Sequence, residues 1–73
     1  MLNNKGEISG YVLAWKHFIY GKKPNFLTHI IRDYEEKENY EGCLGIYKAI
    51  DEYKGYVDTI KKLIKRAGVK NNN

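Results

Sequence analysis

The stretch CLGIYKAIDEYKGYVDTIKKLIKRA, residues 43–67, carries the clearest pattern in the chain. Its apolar residues alternate spacings of three and four, at Cys43, Ile46, Ile50, Tyr53, Val57, Ile60, Ile64 and Ala67. That spacing places them along one side of an α-helix, as in the seam of a coiled coil. Gly68 follows a cationic last turn, as a helix C-cap does. We therefore predict helix across this stretch.

Gly55 leaves the continuity of this helix open. Twenty-five residues at 1.5 Å per residue would span about 37 Å, whereas a compact domain of this length has a diameter of about 29 Å. We favour a break at Gly55, because glycine weakens a helix and Asp58 can cap a second one. The alternative is one long helix that reaches beyond its own domain and pairs with a partner, such as a second copy bound through residues 43–67.

Two earlier segments also have helical spacing. The first carries an apolar stripe at Tyr11, Val12, Trp15, Phe18 and Ile19, with Ser9 as the expected N-cap and Gly21 and Pro24 as stop signals. The second starts at Pro24–Phe26 and carries Phe26, Leu27, Ile30, Ile31 and Tyr34. The predicted fold is all-α, a small bundle of three to four helices over residues 10–20, 25–38, 43–54 and 56–67, with one long helix as the alternative to the last two. We expect a single helical domain at 9–68, a frayed N-terminus at 1–8 and a disordered tail at 69–73.

Length and composition exclude several classes of protein. The chain has 73 residues and one Cys, so a disulfide framework or a Cys-rich zinc site is excluded. Its apolar fraction of 42% is too high for a disordered tail. The most apolar run, residues 11–20, is interrupted by Lys16 and His17 and is too short to span a membrane. We expect no membrane partner and, from the single free Cys, a cytoplasmic protein.

The sequence gives little support for catalysis. The two His residues and the Cys, at 17, 29 and 43, are spaced 12 and 14 apart, without the short pairing typical of metal ligands. Cys43 begins the apolar seam, where a free Cys usually packs as a small hydrophobic residue. No phosphate-binding loop, zinc-protease or nucleophile-elbow motif is present. We therefore expect no enzymatic activity, no cofactor and no metal.

Charge is segregated along the chain. Residues 24–42 have a net charge of −3, from five carboxylates and two cations, whereas residues 59–73 carry five cations and no acid. The predicted partner-binding surface combines the acidic segment with nearby tyrosines: Asp33, Glu35, Glu36, Glu38, Tyr40, Glu41 and Tyr47. A nucleic-acid surface is the alternative, formed by Lys61, Lys62, Lys65, Arg66 and Lys70. Arg66 is the one arginine there, which argues against sequence-specific base reading.

The order of the short apolar segments, Phe26–Asp33, Ile46–Tyr53 and Tyr56–Ile64, resembles that of small SAM-type helical domains of the YozE kind. The resemblance covers about two thirds of the chain and rests on apolar spacing. It implies a small helical domain and assigns no functional residue.

Seven tyrosines in so short a chain favour binding over catalysis, because tyrosine buries a large area while keeping a polar group. The sequence predicts a small non-enzymatic protein–protein interaction module that binds another protein through its tyrosine-rich and acidic surfaces. Lys, Asn, Ile and Tyr, which have AT-rich codons, are abundant. We therefore expect a cytosolic regulator or inhibitor of the kind that phages or mobile elements encode. The alternative function is nucleic-acid binding through the basic C-terminal helix.

Overall fold

A computed structural model describes residues 4–68. They form three helices, α1 (Lys5–Ile19), α2 (Thr28–Glu36) and α3 (Tyr40–Arg66), with a 3₁₀ turn at Pro24–Leu27 leading into α2. The described residues contain no strand. The predicted all-α class is confirmed, with three helices.

Helix α1 begins earlier than predicted. The side chain of Asn4 accepts a hydrogen bond from the backbone N–H of Glu7 at 2.9 Å, which satisfies a donor of the first turn. Ser9, the predicted cap, lies exposed inside the helix. Residues 4–8, expected to be frayed, are therefore the cap and first turn of α1; residues 1–3 and the predicted tail at 69–73 lie outside the described residues.

The end of α1 follows the prediction. Gly21 has a φ of 89°, which is the left-handed conformation. Its N–H bonds to the Phe18 carbonyl at 3.0 Å, and the next N–H, from Lys22, bonds to the His17 carbonyl at 2.9 Å. This pair of bonds is a Schellman C-cap.

Helix α2 is shorter than the predicted range of 25–38. Pro24 opens the 3₁₀ turn, where its missing N–H is not needed, and α2 ends at Glu36. Glu38 then takes a φ of 59°, unusual for a non-glycine residue, and the Asn39 N–H bonds back to the Tyr34 carbonyl at 2.7 Å. Asn39 also caps α3, because its side chain accepts from the Gly42 N–H at 3.1 Å.

Helix α3 is continuous for 27 residues, so the predicted break at Gly55 is wrong. Glycine costs about 1 kcal/mol inside a helix, which is small beside the contacts on either side of it. Tyr53 and Tyr56 both pack on Trp15, with ring centroids 6.3 and 5.9 Å apart. Those contacts tie both sides of Gly55 to α1, so the helix stays straight through it.

Helices α1 and α3 run parallel and pack directly on each other, and α2 packs against α3. Gly10 near the start of α1 lies against Gly42 near the start of α3, and Phe18 near the end of α1 stacks on Tyr53 with centroids 4.4 Å apart. Short connections force α2 to run in the opposite direction, as in an up-down-up bundle.

Glycines bring the two parallel helices into backbone contact. A Cβ atom on Gly10 would overlap the carbonyl group of Gly42, and one on Gly45 would overlap the carbonyl of Glu7. Such close approach is typical of small residues spaced four apart, which Gly6 and Gly10 are. The first two turns of α1 therefore pack on α3 through main-chain atoms.

The core follows this contact toward the C-terminal end of α1. It consists of Ala14, Phe18, Leu27, Ile46 and Ala49. The predicted inward stripe of α1 is only partly correct, because Val12 and Ile19 are 56% and 77% exposed. The side that faces α3 is instead the row of Gly10, Ala14 and Phe18. Because Gly10 and Ala14 are small, this row is only weakly hydrophobic. The apolar pattern therefore predicted that an adjacent face of α1, with Val12 and Ile19, is buried.

The bundle covers only part of α3. The molecule measures 49 × 24 × 16 Å, and its long dimension reflects this helix. Beyond Val57, which is partly buried, every described residue of α3 is exposed. The last nine residues of the helix, 58–66, therefore extend past the end of α1 without covering contacts from their own chain.

Candidate functional site

An aromatic groove lies between α1 and α3 near the point where the bundle ends. It encloses about 490 Å³ and is lined by Tyr11, Val12, Trp15, Lys16, Ile19, Tyr20, Glu52 and Tyr56. Trp15 of α1 and Tyr56 of α3 both line it, with their ring centroids 5.9 Å apart. The groove is open and mostly apolar, which suits it to an apolar side chain of a partner more than to an enclosed substrate.

One hydrogen bond crosses the groove. The Tyr11 hydroxyl donates to a carboxylate oxygen of Glu52 at 2.5 Å. This bond raises the pKa of Tyr11 above its usual value of 10.0, with partial burial and the negative charge of Glu52 acting in the same direction. Tyr11 therefore holds its proton as a donor across the neutral pH range.

The indole nitrogen of Trp15 is buried and has no hydrogen-bond acceptor at bonding geometry. The indole lies close enough to the Tyr11 hydroxyl to lower that group's pKa slightly, against the larger effect of Glu52. Trp15 itself is held by an edge-on contact with Phe18, at a centroid distance of 5.3 Å. The aromatic ring is thus fixed by packing rather than by hydrogen bonding.

An exposed apolar stripe continues from the groove along α3. It consists of Tyr56, Ile60 and Leu63, spaced four and three residues apart, and these side chains are 55–60% exposed. Ile64 lies beside them and is 46% exposed. We call these four residues the C-terminal stripe. They continue the seam that, nearer the start of α3, forms the core through Ile46 and Ala49.

The basic residues predicted from sequence flank this stripe. We call Lys61, Lys62, Lys65 and Arg66 the basic end; all four are exposed, and the last three line one shallow surface depression. Lys70, the fifth predicted residue, lies outside the described residues. The cations also suit the negative end of the α3 dipole, a purely structural role.

The acidic residues predicted from sequence gather at the opposite end of the molecule. Asp33, Glu35, Glu36, Glu38 and Glu41 are all exposed and lie on α2, on the turn after it and on the first turn of α3. We call these five the acidic end. Asp33 forms an ion pair with Lys37 at 3.2 Å. The five carboxylates thus lie at one end of the molecule, on different faces: Glu35 lines a groove with Tyr47, whereas Glu41 lies against Gly6 of α1.

Two predicted tyrosines lie beside the acidic end on α3. Tyr40 and Tyr47 are 60% and 49% exposed. Leu44, between them, is 55% exposed, which the sequence pattern did not single out. The three are spaced four and three residues apart, and we call them the N-terminal stripe. The spacing was visible in the sequence, but the seam on the other side of α3 had the stronger signal.

The three candidate metal or nucleophile residues do not come together. Cys43 is buried, and its thiol donates to the Ile31 carbonyl at 3.6 Å rather than to an imidazole. Burial raises the pKa of this thiol, which disfavours the reactive thiolate. His17 and His29 both pack on Phe26, with centroids 5.3 Å from it. Across residues 4–68, no cluster of three or more His, Cys, Asp or Glu side chains has an arrangement that could hold a metal ion.

In the described part of the chain, none of the helices is both long enough and apolar enough to cross a membrane. No protein-family model, no curated protein and no solved structure matches this chain, so the SAM-type resemblance seen in the apolar spacing has no support from those comparisons.

Proposed function

We propose that this chain is a small non-enzymatic protein–protein interaction module, acting as a cytosolic regulator or inhibitor of the kind that phages or mobile elements encode. The observation that carries the proposal is the C-terminal stripe, whose Ile60, Leu63 and Ile64 extend beyond α1 and are 46–55% exposed. Apolar side chains that are contiguous, exposed and bordered by charge are typical of protein interaction surfaces.

The aromatic groove supports the same role. Tyr56 belongs both to the groove and to the C-terminal stripe, so the two form one continuous apolar surface. Tryptophan and tyrosine at its centre are the residue types that contribute most at protein interfaces. A partner side chain seated against Trp15 would bury apolar area, at about 25 cal/mol per Å² removed from water.

The acidic end supports a second contact. Its five carboxylates are exposed, one of them, Glu35, shares a groove with the exposed Tyr47, and a basic partner would be drawn to this charge. Such a surface can imitate the charge of a nucleic acid toward a nucleic-acid-binding protein. In that role the acidic end sets partner selection and encounter rate.

Site-specific photo-crosslinking in the native cell tests the proposal. A photoreactive residue at Ile60 lies in the C-terminal stripe, whereas one at Asp58 lies on the opposite side of the same helix. We expect a discrete protein adduct from Ile60 and none from Asp58. Equal labelling from the two positions, or no adduct from Ile60, would contradict a binding role for the stripe.

Charge reversal tests the acidic contact separately. Replacing Glu35, Glu36 and Glu38 by Lys should reduce the amount of partner captured in an affinity purification, because the attraction becomes repulsion. The control replaces Lys22 and Lys23 by Glu, which reverses two exposed charges after the end of α1, away from this surface. Unchanged capture by the acidic-end variant would remove the acidic contact from the account.

Nucleic-acid binding by the basic end is the second candidate. Its four cations are exposed on a helix that extends into solvent, and residues 59–68 include no acid to oppose them. Binding would be mainly to phosphate and would weaken steeply with salt. A gel-shift titration at low salt tests it: a shift that fades toward physiological salt supports it, and no shift at low salt excludes it.

A further inference from the structure

Helix α3 carries two exposed apolar stripes with the same internal spacing. The N-terminal stripe is Tyr40, Leu44 and Tyr47, and the C-terminal stripe repeats this spacing sixteen residues later at Tyr56, Ile60 and Leu63. Sixteen residues turn an α-helix by about 160° and advance it by about 24 Å. The two stripes therefore lie on nearly opposite sides of the molecule and toward opposite ends.

The two stripes lie at ends of the molecule that carry opposite net charge. Residues 24–42, at the end that holds the N-terminal stripe, have a net charge of −3. Glu35 shares a surface groove with Tyr47, although Arg32 and Lys54 line that groove too. The C-terminal stripe has the four cations of the basic end beside it, and residues 59–68 include no acid.

These charges cannot neutralise each other within one copy. The acidic and basic ends are separated by most of α3, in a molecule 49 Å long. Charges in water are screened over about 8 Å at physiological salt. Their attraction can act at contact distance only between two molecules.

Pairing like with like is unfavourable. If two copies joined through their C-terminal stripes about a twofold axis, the two basic ends would meet and repel. Two acidic ends would repel in the same way. Pairing of unlike ends joins an apolar ridge to an apolar ridge and opposite charges to each other.

We propose that the chain assembles head to tail, with the N-terminal stripe and acidic end of one copy docking on the C-terminal stripe and basic end of the next. This inference rests on the proposed function, since it names a second copy as a partner of the same surface. Such a heterologous contact leaves one unpaired N-terminal stripe and one unpaired C-terminal stripe on an open assembly, and none once a ring closes. The product is an open chain or a closed ring.

Sedimentation velocity with two complementary variants tests the proposal. One variant, Lys65→Glu with Arg66→Glu, disables the basic end; the other, Glu35→Lys with Glu38→Lys, disables the acidic end. All four positions are exposed, and circular dichroism checks that each variant stays helical. Lys22→Glu with Lys23→Glu is the control, with the same charge change as the basic-end variant, made after the end of α1 and away from the acidic and basic ends.

We expect the wild type and the control to associate reversibly with concentration, and to associate more weakly as salt is raised. Each variant alone should associate about tenfold or more weakly, since like charges then face each other at the contact. An equimolar mixture of the two variants should regain association, because their native ends match and the reversed charges of one variant complement those of the other.

Three results would overturn head-to-tail assembly. These are a wild type that stays monomeric at low salt, association that the acidic-end variant leaves unchanged, and a mixture in which the variants do not pair. A monomeric wild type whose Ile60 still crosslinks to a different protein would remove self-assembly while leaving the proposed function standing.

Discussion

The main chain of Gly10 in α1 packs directly on the carbonyl group of Gly42 in α3. The contact has no room for a side chain, and Gly45 repeats it one turn further along, against the Glu7 carbonyl. This parallel pairing fixes where α1 lies on α3. It therefore also determines how much of α3 is left uncovered.

Substitution of Gly10 or Gly45 by Ala should destabilise the fold. The added methyl group overlaps main-chain atoms, which cannot move aside as a side chain can, and overpacking of this kind costs about 1–3 kcal/mol. For a domain of this size each kcal/mol lowers the Tm by about 4–8 °C. Thermal unfolding followed by circular dichroism measures the effect.

Gly55→Ala is the matched control for these variants. A Cβ at Gly55 meets nothing within 4 Å, and the residue lies in the middle of α3. Alanine there should raise the free energy of unfolding by about 0.5–1 kcal/mol, since glycine is a poor helix former. Equal effects of Gly10→Ala and Gly55→Ala would show that α1 and α3 are not in backbone contact.

Glu38→Gly should stabilise the protein. Glu38 adopts a φ of 59° at the C-cap of α2, a conformation that costs an ordinary residue about 1–2 kcal/mol. Glycine adopts it without that steric cost, so we expect a gain of about 1 kcal/mol, reduced by the greater freedom of glycine in the unfolded chain. Urea unfolding measures it; a loss of stability in Glu38→Gly would contradict the left-handed cap.

The bond between Tyr11 and Glu52 predicts a specific dependence of stability on pH. Because the folded-state pKa of Tyr11 lies above its unfolded value of 10.0, the folded state holds this proton more tightly. Its contribution to stability is complete below about pH 10 and is lost as the pH rises through the folded-state pKa.

Tyr11→Phe isolates that contribution. The variant should be less stable than the wild type by about 1 kcal/mol at neutral pH, the usual value of one hydrogen bond. The stability difference should shrink as the pH rises above 10, where the wild type alone loses this bond. Urea unfolding from pH 7 to 11 measures it, and a difference that stays constant over that range would rule out the bond as its source.

The sequence predicted the elements whose signals are local. Gly21 and Gly68 both adopt positive φ after helices, as their positions implied, and the seam of α3 from Cys43 to Val57 faces the bundle. These features depend on the helical period and on the special freedom of glycine. Neither requires knowledge of a neighbouring helix.

The predictions were wrong where packing against a neighbouring helix determines the buried face or the length of a helix. Hydrophobicity predicted that Val12 and Ile19 face inward, whereas α1 uses Gly10 and Ala14, whose value lies in permitting close approach to α3. The spacing of Gly6 and Gly10 was the available signal. The low helix propensity of glycine predicts a break at Gly55. The packing of Tyr53 and Tyr56 on Trp15 outweighs the cost of glycine in the helix.

The candidate surfaces were predictable only where they are formed by residues that are close together in the sequence. The acidic and basic sets are runs in the sequence, and a helix keeps such runs together in space. The aromatic groove joins residues about forty positions apart, such as Trp15 and Tyr56, so it depended on the parallel packing of α1 and α3.

An unbroken α3 that leaves its last turns uncovered is the claim on which the proposed surfaces depend. Electron paramagnetic resonance between spin labels at Leu44→Cys and Lys62→Cys, in a Cys43→Ala background diluted with unlabelled protein, tests it most directly. These positions are eighteen residues apart, five full turns, so a continuous helix predicts one narrow distance distribution near 27 Å. A much shorter distance would show that the chain folds back at Gly55 and covers the C-terminal stripe, which would contradict the account.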